Sequence, residues 1–362
     1  MRIGHPKALY PVFFRPMIHY ALDAAMAVEH RSLSLVVGVG EREFGEQCRG
    51  YDGLRVIPQQ SPTGTGDALG AAVAGLAEEG DVLVLYGDAV LLRASTLNEM
   101  LRLHAETGAA CTVGLGSGSG ADAAAYCFRV KDLVVALKNA AGRGDELDLA
   151  DVVLALSAAH AATAEYRIVD PLETMDVNDF YGLWRVEAEL QGRFNRDLML
   201  QGVALQDPRT TLIDPRCRIE REVRIEGGCT VINSVLGAGV RVENFCRIID
   251  SEIGPDSLLR QGTCLEKARL GRGCRVGPYF IASSSGGGPL NRRTIIENDV
   301  FIGASSQAIA PVTLGARTFV ATGTSVTEDA PADSFVISRN RQVTRPGLSK
   351  KHGGSKGPGA LP

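Results

Sequence analysis

Along the first 178 residues, short apolar runs alternate with stretches that carry apolar residues at helical spacing. Runs at 33–37, 82–86, 111–115, 125–130 and 164–169 read as strands, and stretches at about 16–29, 66–79, 95–107, 131–140 and 148–161 read as helices. That alternation predicts an α/β domain over 1–178, built on a mostly parallel, Rossmann-like sheet covered on both faces. Ligands of such sheets gather at the carboxyl ends of the strands. From 179 to about 200 the pattern becomes a single amphipathic helix, with Leu183, Val186, Leu190, Phe194 and Leu198 recurring at steps of three and four. Asp179 suits its N-cap and Gly202 its stop, and the segment 179–205 reads as a connector.

Beyond residue 206 the period changes to six. Inward-type aliphatics fall at Ile213, Ile219, Ile225 and Val231, at Leu236, Val242 and Ile248, at Ile253, Leu259 and Leu265, and at Leu270 and Val276. After a break the hexads resume at Ile296, Ile302, Ala308, Leu314, Val320 and Val326. The dipeptides Leu236-Gly237, Ile253-Gly254 and Leu270-Gly271 recur 17 residues apart. A fixed short period means a repeat architecture. Six residues suit one flat edge and one tight corner, and three edges make a coil, so 206–340 is expected to form a left-handed parallel β-helix of hexapeptide repeats. The tail, 341–362, is Gly/Lys-rich and reads as disordered.

Composition supports this picture. Glycine numbers 42 of 362 residues, aromatics are 6% and apolar residues 45%, which fits a turn-rich chain with a core of stacked small aliphatics. The net charge of −4 lacks the basic excess of a nucleic-acid binder. No run of 18 apolar residues suggests membrane insertion. Pro6, Lys7, Pro11, Arg15 and Pro16 interrupt the first twenty residues, which leaves no signal-peptide core and leads to the expectation of a cytoplasmic protein. None of the eight cysteines forms a CxxC pair. Cys217, Cys229, Cys246 and Cys274 each stand two residues before an inward aliphatic, where a hexapeptide repeat takes a small filler.

Several segments, in order, then carry a resemblance. They are HPKALYPVFFRPMIHYALDAA (5–25), QQSPTGTGDAL (59–69), VLVLYGDAVLL (82–92), DVNDF (176–180), LMLQGVALQDP (198–208) and IIENDVFIGASSQAIAPVTLGA (295–316). Together the chain resembles the bifunctional bacterial family of UDP-N-acetylglucosamine pyrophosphorylase / glucosamine-1-phosphate N-acetyltransferase enzymes. That family joins a nucleotidyltransferase domain to a β-helix acyltransferase domain through a long helix. The resemblance implies UTP and an amino-sugar phosphate as substrates, a homotrimer assembled through the β-helix, and a place in the supply of peptidoglycan and lipopolysaccharide precursors. Lys7 matches the lysine that neutralises phosphate. Gln59, Gly64 and Thr65 match the base-reading loop, with Tyr86 and Gly87 beside it. Asp88 and Asn178 match the Mg²⁺ ligands, a hard-oxygen pair ordinary for that ion. Asp122 aligns with a sugar-binding asparagine, and Ala304, Thr322 and Arg339 lie where the family binds acetyl-CoA.

The chain also departs from the family pattern. The strand and Gly-rich phosphate loop that open the family would lie upstream of Met1, which suggests a start codon assigned too late or a truncated gene. GSGSGAD (116–122) stands in place of the sugar-binding segment. The match jumps from RVGPY (275–279) across SSSGGGPLNRR (283–293) to TIIEND (294–299), so the coils holding the family's catalytic histidine are skipped. The chain's histidines are His5, His19, His30, His104, His160 and His352. The sequence therefore leads to a sugar-phosphate nucleotidyltransferase family member with impaired or absent acetyltransferase activity. The alternatives are a non-catalytic paralogue that binds a sugar nucleotide or joins a trimer, and a related nucleotidyltransferase using another base or sugar.

Overall fold

The computed structural model describes residues 6–38, 41–59, 64–73, 79–116, 123–140, 147–283, 293–338 and 344. The chain divides into two compact units, Met1–Arg193 and Phe194–Pro362. The division falls inside the long helix Phe180–Leu200, within the segment expected to connect domains. Apart from Thr344, the expected tail lies outside the described residues.

The first unit is α/β. Strand Leu33–Val37 pairs in parallel with Leu54–Pro58, in the register Leu33↔Leu54 to Val37↔Pro58. A second sheet has the order Asp81–Leu85, Ala123–Arg129, Cys111–Leu115 and Thr163–Arg167. Within it Ala123–Arg129 runs antiparallel to both its neighbours, and Cys111–Leu115 runs parallel to Thr163–Arg167. The helices cover the sheets with narrow apolar stripes. Leu97 and Met100 of helix Ala94–Thr107 pack with Cys127, and Leu133 and Val152 of helices Val130–Ala140 and Leu149–Ala158 pack with Phe128. All of these side chains are buried to within 1%. Helix Leu149–Ala158 begins at a capping box in which Asp148 and Asp151 satisfy each other's backbone N–H groups. Helix Ala94–Thr107 ends where Gly108 turns left-handed, at φ 58°.

A two-stranded ribbon, Pro11–Val12 with Arg15–Pro16, leads into helix Met17–Met26. Its turn places Phe13 and Phe14 at φ 41° and 70°, where Asn-Gly is usual. Glu187 Oε1 accepts from Phe13 N at 3.1 Å, and Tyr20 Oη donates to Val12 O at 3.0 Å. These contacts hold the turn in a conformation its side chains do not favour.

His104 gives this unit a pH response. Its ring is 2% exposed, with Nδ1 against Thr112 Oγ1 at 2.8 Å and Nε2 3.5 Å from Asp81 Oδ1. Burial lowers its pKa, outweighing Asp81, which raises it. The neutral ring is therefore the folded form. Below the unfolded value of about 6.5 the unfolded chain takes up a proton that the folded chain resists. Stability is full above that pH and falls as the pH drops. Urea midpoints measured at pH 7.5 and 5.5 show this loss, and His104→Gln narrows the difference between them.

The second unit is a parallel β-helix with faces of seven, six and eight strands. Its register shows the coil directly: Val231 lies on Ile248 and Leu265, Leu236 on Ile253 and Leu270, and Ile225 on Val242 and Leu259. Most hexad positions point inward with 0–3% exposure, including Ile248, Leu259, Leu265, Ile296, Leu314 and Val320. Ile219 is only half-buried. The coils on either side of 283–293 stack directly, since Leu270 pairs with Ile296. Cys229, Cys246 and Cys274 are buried within the β-helix, Cys217 is half-buried, and burial pushes the Cys217 thiol up to about 11. A thiol so protonated packs as filler and is a poor nucleophile. On the outside of the eight-stranded face, Phe301, Phe319 and Phe335 stack at centroid distances of 4.6 and 5.5 Å. No helix among the described residues is long and apolar enough to cross a membrane.

Candidate functional site

The first unit brings three distant residues to one point. Lys7 begins a short 3-10 turn, Lys7–Leu9. Asp88 lies in the turn after strand Asp81–Leu85, where Ala89 N donates to Tyr86 O at 3.1 Å and Val90 N to Asp88 O at 2.9 Å. Asn178 precedes helix Phe180–Leu200. The Lys7 ammonium donates to Asp88 Oδ2 at 2.5 Å and to Asn178 Oδ1 at 2.9 Å. Asp88 and Lys7 are a quarter and a third exposed, so the pair is open to a ligand. Gly87 lets the turn lie close to the neighbouring elements, since a Cβ there would meet Ile18 Cδ1 at 3.2 Å.

The two oxygens converge on one cation, here the ammonium of Lys7. One carboxylate and one amide oxygen are hard donors, so the pair fits Mg²⁺ with phosphate oxygens and water completing the shell. Among the described residues no group of three His, Cys, Asp or Glu could hold a metal by itself.

Tyr86 is half-buried and meets Tyr126 edge-on at 6.3 Å. Burial raises its phenol pKa, with the charges of Asp148, Asp88 and Asp176 adding to the effect. The phenol therefore stays protonated. Gln59 extends the strand end, its N donating to Val37 O at 2.8 Å, and its side-chain amide donates to Gly64 O at 3.2 Å. Gly64 adopts φ 130° against the backbone of Leu147, where any Cβ would collide. Thr65 is tied to the next element: its Oγ1 donates to Asp148 Oδ1 at 3.1 Å and accepts from Leu149 N at 3.1 Å. Gln59 and Gly64 thus form one contact, Lys7, Asp88 and Asn178 another, and Thr65 caps a helix. Sequence reasoning did not anticipate the Asp148 partnership of Thr65, because 83 residues separate the two. Asp122 lies outside the described residues.

In the second unit Ala304 and Thr322 occupy one corner on successive coils, joined by Gly323 N donating to Ala304 O at 2.8 Å. Arg339 lies outside the described residues.

The MobA-like NTP transferase domain family matches residues 1–174. The Bifunctional protein GlmU of Pelobacter propionicus is 30% identical over 437 aligned positions, covering 96% of this chain and 95% of the relative. The proteins of the same name from Shouchella clausii and Geobacter metallireducens are 28% and 29% identical, over 95% of this chain and 95% and 94% of theirs. These alignments run longer than the chain's 362 residues, so the relatives carry residues opposite gaps in it.

Proposed function

The chain belongs to the family of the bifunctional GlmU proteins, and on that footing we propose that its first unit transfers a nucleotidyl group from UTP to N-acetylglucosamine 1-phosphate, releasing pyrophosphate. The observation that carries this reading is the convergence of Lys7, Asp88 and Asn178 on one cation position. An oxygen of the sugar phosphate attacks the α-phosphorus of UTP. The new P–O bond forms as the bond to the β-phosphate breaks, and pyrophosphate leaves with the electron pair. This chemistry asks for alignment and charge neutralisation rather than a covalent nucleophile. Lys7 supplies a positive charge to the phosphate oxygens. Asp88 and Asn178 would hold Mg²⁺, which when bound neutralises and orients phosphate oxygens. Gln59, Gly64, Thr65, Tyr86 and Gly87 are assigned to the nucleotide, and Asp122 to the sugar. Pyrophosphate release from UTP, the sugar phosphate and Mg²⁺ by the purified chain tests the assignment, and the absence of turnover refutes it.

The second unit is assigned an acyltransferase-type fold, assembled as a trimer, that does not acetylate glucosamine 1-phosphate. The family's general base is a histidine, and no histidine of this chain falls between 161 and 351. Ala304, Thr322 and Arg339 are the acetyl-CoA candidates that persist. Acetyl transfer from acetyl-CoA, followed by free thiol release, would overturn this assignment. A second reading, a non-catalytic sugar-nucleotide-binding paralogue, is supported by the alignment gaps and by GSGSGAD in place of a sugar segment. Calorimetric UTP binding without turnover would favour it.

A further inference from the structure

One edge of the β-helix carries groups that neither proposed activity uses. It is the corner between the eight-stranded and seven-stranded faces. Each coil places one residue there in the left-handed region. At the other two corners that position is mostly Asn, Asp or Gly, which tolerate it, with Glu222, Lys267 and Arg317 among them. Here the order is Gly228, Phe245, Gly262, Tyr279, Ser305 and Gly323, so from Gly228 to Tyr279 glycine alternates with a bulky aromatic that rarely adopts such a φ. Phe245 N donates to Gly227 O and Tyr279 N to Gln261 O, at 3.1 and 2.9 Å, which makes these residues rungs of one ladder.

Each ring lies on the glycine of the preceding coil. A Cβ on Gly228 would meet Phe245 at 2.5 Å, and one on Gly262 would meet Tyr279 at 2.6 Å. The rings still remain 67% and 56% exposed. They sit two coils apart, roughly 10 Å at the ordinary strand spacing. Beside Phe245 the surface dips into an open depression lined by Gln206, Asp207, Arg209, Thr210 and Asn244. The neighbouring polar groups are carboxylates, carboxamides and a phenol. Asn244 Nδ2 donates to Glu226 Oε2 at 2.5 Å, and Gln261 Nε2 donates to Tyr279 Oη at 3.0 Å, which leaves the phenol proton directed elsewhere. Arg260 and Arg209 each face a carboxylate, Arg260 Nε with Glu243 Oε2 at 3.0 Å and Arg209 Nε with Asp207 Oδ1 at 3.6 Å, and Arg247, two residues after Phe245, is exposed. Such an edge offers flat apolar platforms and hydroxyl-binding groups, with most of its nearby positive charge already paired.

We infer that this edge binds an extended, uncharged β-linked glycan, with alternate sugars stacked on Phe245 and Tyr279. The C–H face of a pyranose packs on an aromatic ring, its hydroxyls meet carboxylates and amides, and one disaccharide of an extended chain spans the two-coil interval. The inference stands apart from the nucleotidyl-transfer assignment, since all its groups belong to the second unit.

The test uses the full chain, tetra-N-acetylchitotetraose as probe, and the variants Phe245→Asn and Tyr279→Asn. Asparagine accepts the left-handed conformation, so both variants keep the corner. Calorimetry is expected to show binding by the native chain, weakened about tenfold or more in each variant, with melting temperatures held or raised. Maltotetraose, whose α-linkages curl the chain, is expected not to bind. The inference falls if chitotetraose gives no binding at millimolar concentration or if the variants bind as the native chain does. Equal binding of maltotetraose overturns it too. Lowered melting temperatures with unchanged affinity would reduce the rings to covers for the glycines, and would overturn it as well.

Discussion

On the proposed assignment, Asp88→Asn is expected to lower formation of UDP-N-acetylglucosamine from UTP and N-acetylglucosamine 1-phosphate about 100- to 1000-fold, mainly in kcat. That is the scale of removing one preorganised charged group from a phosphoryl-transfer site. The amide keeps the shape of the carboxylate but not its charge, so the cation position shared with Asn178 loses the carboxylate that faces it. Lys7→Ala is expected to fall in the same range, because it removes the other formal charge at this point. The two residues touch, so their effects are not additive, and the double variant loses little beyond the worse single. Folding is a separate matter. A partly exposed ion pair contributes about 0–1 kcal/mol, so both variants retain near-native melting. Lys7→Met supplies a readout that needs no turnover. With the ammonium gone from between Asp88 and Asn178, Mn²⁺ titrated into the protein binds more tightly. Unchanged Mn²⁺ affinity would show that the two oxygens are not a cation site.

Gly254→Ala is expected to cost about 3 kcal/mol or more, read as a drop in the urea midpoint of the sheet signal in far-ultraviolet circular dichroism. Gly254 follows an inward aliphatic, at the place where the next coil crosses. A Cβ on it would lie 2.5 Å from both C and O of Gly271 and 2.7 Å from Arg272 N. Those are backbone atoms, and the rung formed by Gly254 N and Leu270 O at 2.9 Å fixes their distance. The coil can relieve the overlap only by breaking the ladder. Gly192→Ala is the control. It lies in helix Phe180–Leu200 with nothing within 4 Å of the added carbon, so it gains roughly 0.5–1 kcal/mol from helix propensity.

The inward column of the prism was readable because a three-edged coil forces one buried side chain per edge, and Ile248, Leu259 and Leu265 announce it at every sixth place. Strand Leu54–Pro58 was not readable, since Arg55 and Pro58 interrupt an otherwise β-rich run. Helix Glu41–Gln47 escaped for a different reason. It is two turns long, contains Gly45, and buries Phe44 alone among its described side chains, too little for a period to show. At the site, the family resemblance implied Lys7 for phosphate neutralisation and Asp88 and Asn178 for Mg²⁺. That resemblance put Asp88 and Asn178 on one ion, but the bonds of Lys7 to both did not show in the sequence, because 81 and 171 residues separate Lys7 from its partners and local pattern is blind at that range. The aromatic edge did leave a trace. Phe245 and Tyr279 are two 17-residue periods apart with Gly262 midway, a signal that gains meaning only once the coil is known.

The direct pairing of Leu270 with Ile296, in the same register as Ile253 with Leu270, has an evolutionary consequence. Each coil meets its neighbours through the same rungs and the same columns, so the prism is edited in whole floors, like a staircase. Removing one floor rejoins two surfaces that already match, and lengthening a landing disturbs neither flight. A lineage can therefore shed or gain floors, together with whatever chemistry they carried, while keeping a well-packed shaft. Persistence of the architecture in this family is for that reason a weak guide to which reactions a given member retains.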